Sequence, residues 1–379
     1  MDFVLTEEQT MLRDSVREFA ENRLAVEAEE ADVQAFIKSD VLKEIAELGY
    51  CGICTPDIYG GAGFDTTCYA LAIEEISKVD ASIGVLLSVT NSPAQFPLIQ
   101  FGSEALRQKY LPDLASGRKI GAFCLTEANA GSDAAGIKLT AELKGDHYTL
   151  NGSKQFITNG ELAETFIVFG TIDKNLKTKG ITAFVVEKNF PGVKIGKKEN
   201  KMGLRGSCTN EIIFENCVVP GENVIGEPGD GFKIALATLD HSRIGIGAQA
   251  LGIAEAALEY ALNYAKERQQ FGRPIAEFEA IRFMLADMAT EIEAARYLVY
   301  HAAWLHDKGK RTSKESAMAK LFASEMAFRC VHKSLQIHGG YGYMKEYPIE
   351  RLYRDQRVTE IYEGTSEVQR LVIAASLLK

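Results

Sequence analysis

Several stretches of this 379-residue chain carry residue types that can do chemistry. Glu363 lies in Ile361-Tyr-Glu-Gly-Thr-Ser-Glu-Val-Gln-Arg370. Ser366 and Gln369 have the spacing of a capping box, which predicts a final helix starting there and leaves Glu363 in the preceding turn. Gly364 gives a ligand room to approach the backbone. A carboxylate beside Tyr362, with apolar sequence on both sides, is a candidate for desolvation, which raises its pKa and makes its anion a stronger base; otherwise it is a surface acid in a polar turn. Cys124-Leu-Thr-Glu-Ala-Asn-Ala-Gly-Ser-Asp133 offers hydroxyls and backbone N–H groups around Gly131. It suits a polar, ring-shaped or phosphorylated ligand, or is an Asx-rich turn. It is neither a Walker loop nor a GxGxxG between strand and helix.

Three more stretches have two readings each. Phe156-Ile-Thr158 is either a ligand-facing pair or a core Phe beside an outward Thr. In Glu267-Arg-Gln-Gln-Phe-Gly-Arg-Pro274, Arg268 either clamps a phosphate or caps a helix C-terminus. Gln336-Ile-His-Gly-Gly-Tyr-Gly342 has more glycine than a C-cap needs, which suggests close approach of a ligand or a second chain.

The elements that must position these residues follow from periodicity. Residues 1–120 read as a helical domain: Thr6 and Gln9 box one helix, 39–48 repeats the period up to Gly49, and 67–79 is helical again. Residues 121–229 alternate and are punctuated by glycine, with a hairpin over 138–150 and strands at 165–171, 181–187, 211–214 and 218–219, which predicts a small β domain. Residues 230–379 return to helix, over 232–268, 280–307, 312–338 (Thr312 boxed with Glu315) and the tail. Their apolar faces predict an antiparallel four-helix bundle. The fold class is therefore α+β and multidomain.

Composition excludes several functions. A net charge of −10 argues against nucleic acid or an anionic membrane as the main partner. The N-terminus lacks the basic and apolar regions of a secretion signal. The charge-free run from Ala81 to Ser103 is broken by Asn, Gln and Pro, so it reads as a buried wall rather than a membrane span. Seven scattered cysteines predict reduced thiols in a cytoplasm; Cys51-Gly-Ile-Cys54, without a second pair or a His cluster, reads as core rather than metal or redox.

Taken together, these stretches resemble the acyl-CoA dehydrogenase family, in register over the whole chain. Cys124 to Gly136 is similar to one long family signature. Gln336 to Asp355, with Glu346, Arg351 and Asp355, is similar to a second; Arg-x-Gln-Phe-Gly and Tyr-Glu-Gly-Thr add two shorter ones. The resemblance is strongest to the short-chain (butyryl-CoA) members. It implies an FAD enzyme that oxidises an acyl-CoA to the trans-2-enoyl-CoA, a small β-barrel as the middle domain, and electron-transferring flavoprotein as acceptor. It also implies that Glu363 removes the α-proton while flavin N5 takes the β-hydride. That step needs a polarised thioester carbonyl. In the family the donors are the base's own N–H and a ribityl hydroxyl. The implied flavin contacts are Phe123, Leu125, Thr126, Ser132, Phe156, Thr158, Thr365 and Glu367. Arg268, Gln270, Phe271, Gln336, Gly339 and Gly340 match positions that touch the FAD of a neighbouring subunit, so a homo-oligomer, by family norm a tetramer, is implied.

For the substrate, the resemblance implies contacts from Ser132, Asp240, Arg243, Tyr362 and Gly364. Gln249 and Thr359 match positions that close the acyl pocket of short-chain members, where extra methylenes become costly. No Arg or Lys lies between Ala81 and Ser103 to meet a distal carboxylate, which counts against a glutaryl substrate. Asn91 stands where some alicyclic enzymes carry an acid. Three alternatives stay open: a branched or alicyclic acyl-CoA dehydrogenase, a non-catalytic acyl-CoA-binding relative, and a flavin oxidase or monooxygenase on the same fold. Bleaching by butyryl-CoA and the rate of reoxidation by air separate them.

Overall fold

The computed structural model describes residues 4–378; Met1–Phe3 and Lys379 lie outside it, and with them the first residues of the N-terminus read above for a secretion signal. The first part is helical, with α1 (Glu7–Phe19), α2 (Ala28–Gln34), α3 (Ser39–Glu47), α4 (Thr66–Val79), α5 (Ala81–Asn91), α6 (Phe96–Phe101) and α7 (Glu104–Ala115). The Thr6–Gln9 capping box forms as expected, and Gly49, at φ +77°, ends the turn after α3. The charge-free run becomes α5, buried along its whole length, and α6. Helices apolar all round pass through a core rather than over it.

The middle part is one sheet of β1 (Ile120–Cys124), β2 (Thr140–Lys144), β3 (His147–Thr158), β4 (Ala163–Thr171), β5 (Ile181–Glu187), β6 (Val193–Lys198), β7 (Thr209–Pro220) and β8 (Val224–Ile225). Their order is β6-β7-β3-β2-β4-β5-β8, with β1 parallel to β4. The expected hairpin is β2–β3, turning at Gly145 with φ +67°. The two strands expected at 211–214 and 218–219 are halves of the single strand β7, while β1, β6 and β8 were not legible as alternation. β4 explains why. Phe166 and Val168 pack into one core with Leu150, Phe184 and Phe214, while Ile167 and Phe169 face another that holds Leu111 and Leu114 of α7. A strand covered on both faces reads as a continuous apolar run.

The last part contains α8 (Gly231–Glu267), a short hairpin of β9 (Gln269–Gln270) and β10 (Arg273–Pro274), α9 (Glu279–Asp307), α10 (Ser313–His338), α11 (Ile349–Gln356) and α12 (Ser366–Leu377). The four expected helices are present, and α11 is an addition. Two expected caps are corrected. Thr312 makes no side-chain bond at the start of α10. Thr365, not Ser366, caps α12, its hydroxyl accepting the Val368 N–H at 3.4 Å. A Cβ on Gly252 of α8 would lie 2.2 Å from the Glu74 carbonyl of α4, and one on Gly245 would lie 1.9 Å from the Tyr69 hydroxyl. α8 therefore lies against α4 at a distance that only glycine permits. One core joins the first and last parts, with Ile73 and Leu86 packed among Ile244, Leu251, Met288 and Met326. That union sets the start of α8, the middle of α10 and the turn before α12 side by side.

No described helix is long and apolar enough to cross a membrane, and no metal-holding cluster of His, Cys, Asp and Glu occurs among the described residues. Cys51 and Cys54 are free, and burial pushes both thiols up, that of Cys51 to about 12.

Candidate active site

Glu363 sits at φ +52°, a left-handed conformation that costs a non-glycine residue of order 1–3 kcal/mol and persists only where its surroundings over-determine it. Here they do. The Glu363 carbonyl accepts from Gln369 Nε2 at 3.2 Å and from Arg243 Nε at 3.4 Å. The next carbonyl, of Gly364, accepts from Lys320 Nζ at 2.7 Å and from Gln369 Nε2 at 2.8 Å. Gly364 itself is at φ +98°, and a Cβ there would lie 2.6 Å from Gln369 Nε2. So the Gln369 side chain, expected to reach back to an N-cap, instead holds the turn.

The Glu363 carboxylate accepts a hydrogen bond from the Ser242 hydroxyl. Burial pushes its pKa up, while the Ser242 bond and then the Arg243 and Lys320 cations pull it back. Such opposed effects poise a carboxyl for proton transfer. Its own N–H has no partner among the described residues. Asp240 is not free to act as a second base: it takes Arg243 Nη1 at 2.8 Å and the Ser313 hydroxyl.

Behind the turn, Tyr362 donates its hydroxyl to Gln249 Oε1, and Gln249 Nε2 donates to the Ala81 carbonyl at 2.8 Å. Gln249 is fully buried, as is Thr359, whose hydroxyl turns back to the Gln356 carbonyl at 2.8 Å. α5, α8 and the C-terminal turn are thus tied together behind Glu363. Asn91 is occupied elsewhere, bonded to Ile53 N–H at 2.8 Å and to the carbonyls of Tyr50 and Leu87.

The loop after β1 is stitched to β3. Lys154, wholly buried, donates to the Leu125 carbonyl at 3.0 Å and to Glu127 at 2.8 Å, and Gln155 N–H reaches the Thr126 carbonyl at 2.8 Å. The Leu125 side chain is core and Phe123 packs edge-on against Phe169, so Leu125 can offer a ligand only its backbone. Ser132 is exposed and Thr158 partly buried. Phe156 lies on a bulge of β3 at φ +58° with its ring 62% exposed. Thr365 Oγ1 is committed to its cap, and Glu367 is exposed in the first turn of α12.

A second group of residues lines a surface cleft of about 430 Å³: Arg268, Gln270, Gly339 and Gly340 with Tyr264, Ile337 and Tyr341. Arg268 is indeed the C-cap residue of α8, and its guanidinium lies over the Tyr341 ring. Gln336 is exposed nearby, and Phe271 is 93% exposed at φ +53°. Nothing within 4 Å would obstruct a Cβ at Gly340, nor at Gly131 in the loop after β1. Neither is at positive φ, so the chain's own packing does not require glycine there. An exposed phenyl ring, backbone-only loop positions, unobstructed glycines and a cation in a cleft suit a flat heterocycle joined to a phosphorylated tail; these residues fit FAD.

Ser242, Lys320 and the Lys154–Glu127 pair were not singled out from sequence, and Gln369 was read only as a helix cap. The signal for Lys320 was present: a lone cation in Ser316-Ala-Met-Ala-Lys-Leu-Phe-Ala-Ser324, on the helical face of Ser316, Ala317, Ala323 and Ser324, all buried.

Comparison with known proteins agrees over the whole length. Residues 6–118, 122–217 and 229–378 match, in turn, the family models described as acyl-CoA dehydrogenase N-terminal, middle and C-terminal domain. The chain is 50% identical to a short-chain specific acyl-CoA dehydrogenase of Clostridium acetobutylicum, covering 100% of both. Its structure matches butyryl-CoA dehydrogenase from Megasphaera elsdenii with a TM-score of 0.99 at 48% identity, again over 100% of both chains. A structure described as an electron transferring flavoprotein of Acidaminococcus fermentans contains a chain matched at TM-score 0.99, 53% identity and 100% coverage of both.

Proposed function

This chain belongs to the acyl-CoA dehydrogenase family, and from that premise we propose that it oxidises a short, straight acyl-CoA such as butyryl-CoA to the trans-2-enoyl-CoA, with Glu363 as the base. It is an FAD-dependent oxidoreductase acting on CH–CH groups. The observation that carries the reading is the Glu363 turn: a carboxylate raised by burial, on a backbone held in a left-handed conformation, with its own amide unpartnered.

That amide is the donor available to a thioester oxygen. Polarising the carbonyl acidifies the α-carbon, and a fixed N–H does this without reorganisation. The carboxylate then takes the α-proton at an oxygen that Ser242 leaves on substrate entry. Arg243 and Lys320 limit the rise in pKa that burial alone would give. When bound, FAD supplies the two-electron acceptor for the hydrogen leaving the β-carbon. Phe156, Thr158, Thr126, Ser132, Glu367 and the Leu125 backbone would hold it. Gln249, Tyr362 and Thr359 limit acyl length.

The cleft at Arg268, Gln270, Gly339 and Gly340, with Gln336 and Phe271 exposed beside it, supports a homo-oligomer, taken as a tetramer, in which these residues meet a second subunit's cofactor. Electron-transferring flavoprotein is the proposed acceptor, on the strength of the Acidaminococcus match. We place this chemistry in fatty acid metabolism and, on its scattered free cysteines, in a reducing compartment such as the cytoplasm. A steady-state survey of acyl-CoAs with an artificial acceptor tests the substrate. Butyryl-CoA should give the highest kcat/KM; a maximum at C8 or beyond, or on a branched or alicyclic thioester, would overturn the short-chain reading.

A further inference from the structure

Lys320 lies in the middle of α10 with no exposed surface. Lysine is almost never fully buried unless it is paired, yet no carboxylate among the described residues lies within ion-pair distance of Nζ. Its hydrogen bond goes to the Gly364 carbonyl at 2.7 Å. That carbonyl already accepts from Gln369 Nε2 at 2.8 Å, so a lysine kept only as a donor there would be redundant. The charge needs its own explanation.

We propose that Lys320 is the positioning residue of the Glu363 turn, its buried ammonium holding the Gly364 carbonyl and serving as the counter-charge that keeps the Glu363 carboxylate ionised between turnovers. The inference rests on Glu363 being the base. The charged groups facing Lys320 are Glu363 in the turn, Arg243 from α8, Glu360 from the segment before the turn and Glu325 on its own helix. Those facing Glu363 are Arg243 and Lys320, with the hydroxyls of Ser242, Tyr362 and Tyr69 close by. Arg243 is already balanced by Asp240, to which it is paired at 2.8 Å. Lys320 has no such partner, so its charge remains for Glu363. Burial brings its pKa down to about 8 and Glu363 raises it; the coupling runs equally in the other direction.

The test reads that coupling in the oxidised holoprotein without turnover. Lysine labelled with 13C at Cε reports Lys320, assigned by its loss in Lys320→Met. Glutamate labelled at Cδ reports Glu363, assigned by its loss in Glu363→Gln. Glu363→Gln should lower the Lys320 midpoint and Lys320→Gln should raise the Glu363 midpoint, the latter by less than loss of the Ser242 bond, which acts on the carboxyl more strongly. Lys320→Gln keeps a donor for Gly364 while removing the charge, so a purely structural lysine would leave the Glu363 midpoint unmoved. If the Lys320→Gln and Lys320→Met variants fail to fold, Lys320→Arg, which keeps the cation, assigns the lysine signal, and its midpoint in wild type against Glu363→Gln still decides. An unchanged midpoint in either arm overturns the proposal. Neither arm reads catalysis, so its failure is distinct from a failure of Glu363 as base, which flavin reduction reports.

Discussion

At the scale of single residues, the chemistry of the site comes from a balance around one carboxyl. Burial raises Glu363, while the Ser242 hydroxyl, Arg243 and Lys320 lower it, in that order. Ser242→Ala removes the first of the lowering effects. A hydrogen bond to a charged group is worth about 1.5–3 kcal/mol, or about 1–2 pH units of midpoint. Because the deprotonated form is the active one, the acid limb of the kcat/KM profile should move to higher pH by that amount, with the plateau at alkaline pH retained. A profile with an unmoved acid limb would show that Ser242 does not face the working carboxylate. The place of Glu363 in a turn before α12 was legible because Tyr-Glu-Gly-Thr is local in sequence. Ser242 and Lys320 were not: they lie 121 and 44 positions respectively from the residues they bond, Glu363 and Gly364, and only tertiary packing brings them there.

At the scale of elements, the same distinction explains what could be anticipated. Helices with clear periods and caps were read within a residue or two, as at α1 and α8. The cap of α12 was misplaced because the Gln369 side chain, expected to bond the N-cap, is drawn to the Glu363 and Gly364 carbonyls. β4, a continuous apolar run, was read as a strand, whereas its partner β1, five residues long and also buried on both faces, carried no alternation to read. The proposed pocket end is an element-level feature, in which α8 meets the start of α5 through Gln249 and the C-terminal turn through Tyr362. Gln249→Ala combined with Thr359→Ala should shift preference from C4 toward C6–C8 acyl-CoA, by at most about 1–3 kcal/mol per accommodated methylene. The survey of kcat/KM against chain length measures it, and an unaltered ranking would place the pocket floor elsewhere.

At the scale of the whole molecule, the proposed active site draws on a core shared by the first and last parts of the chain, and the proposed flavin contacts draw on the sheet beside them. The cleft at Arg268 faces outward, with Phe271 almost wholly exposed next to it. Arg268→Ala removes the cation there, and loss of one charge-assisted hydrogen bond, about 1.5–3 kcal/mol, should weaken FAD retention roughly 10- to 100-fold. Equilibrium dialysis reads this, and dilution followed by sedimentation reads the linked assembly; a monomer with full flavin occupancy would contradict a cofactor shared between subunits. The measurement that joins all three scales is anaerobic mixing of butyryl-CoA with wild-type, Glu363→Gln and Asp240→Asn proteins, followed by flavin absorbance. Loss of a general base costs about 10²- to 10⁴-fold. Wild type should bleach rapidly and Asp240→Asn should still bleach. Glu363→Gln should bind acyl-CoA, remain yellow and bleach slower by that factor or more. Rapid bleaching of Glu363→Gln would contradict the assignment of Glu363 as the base.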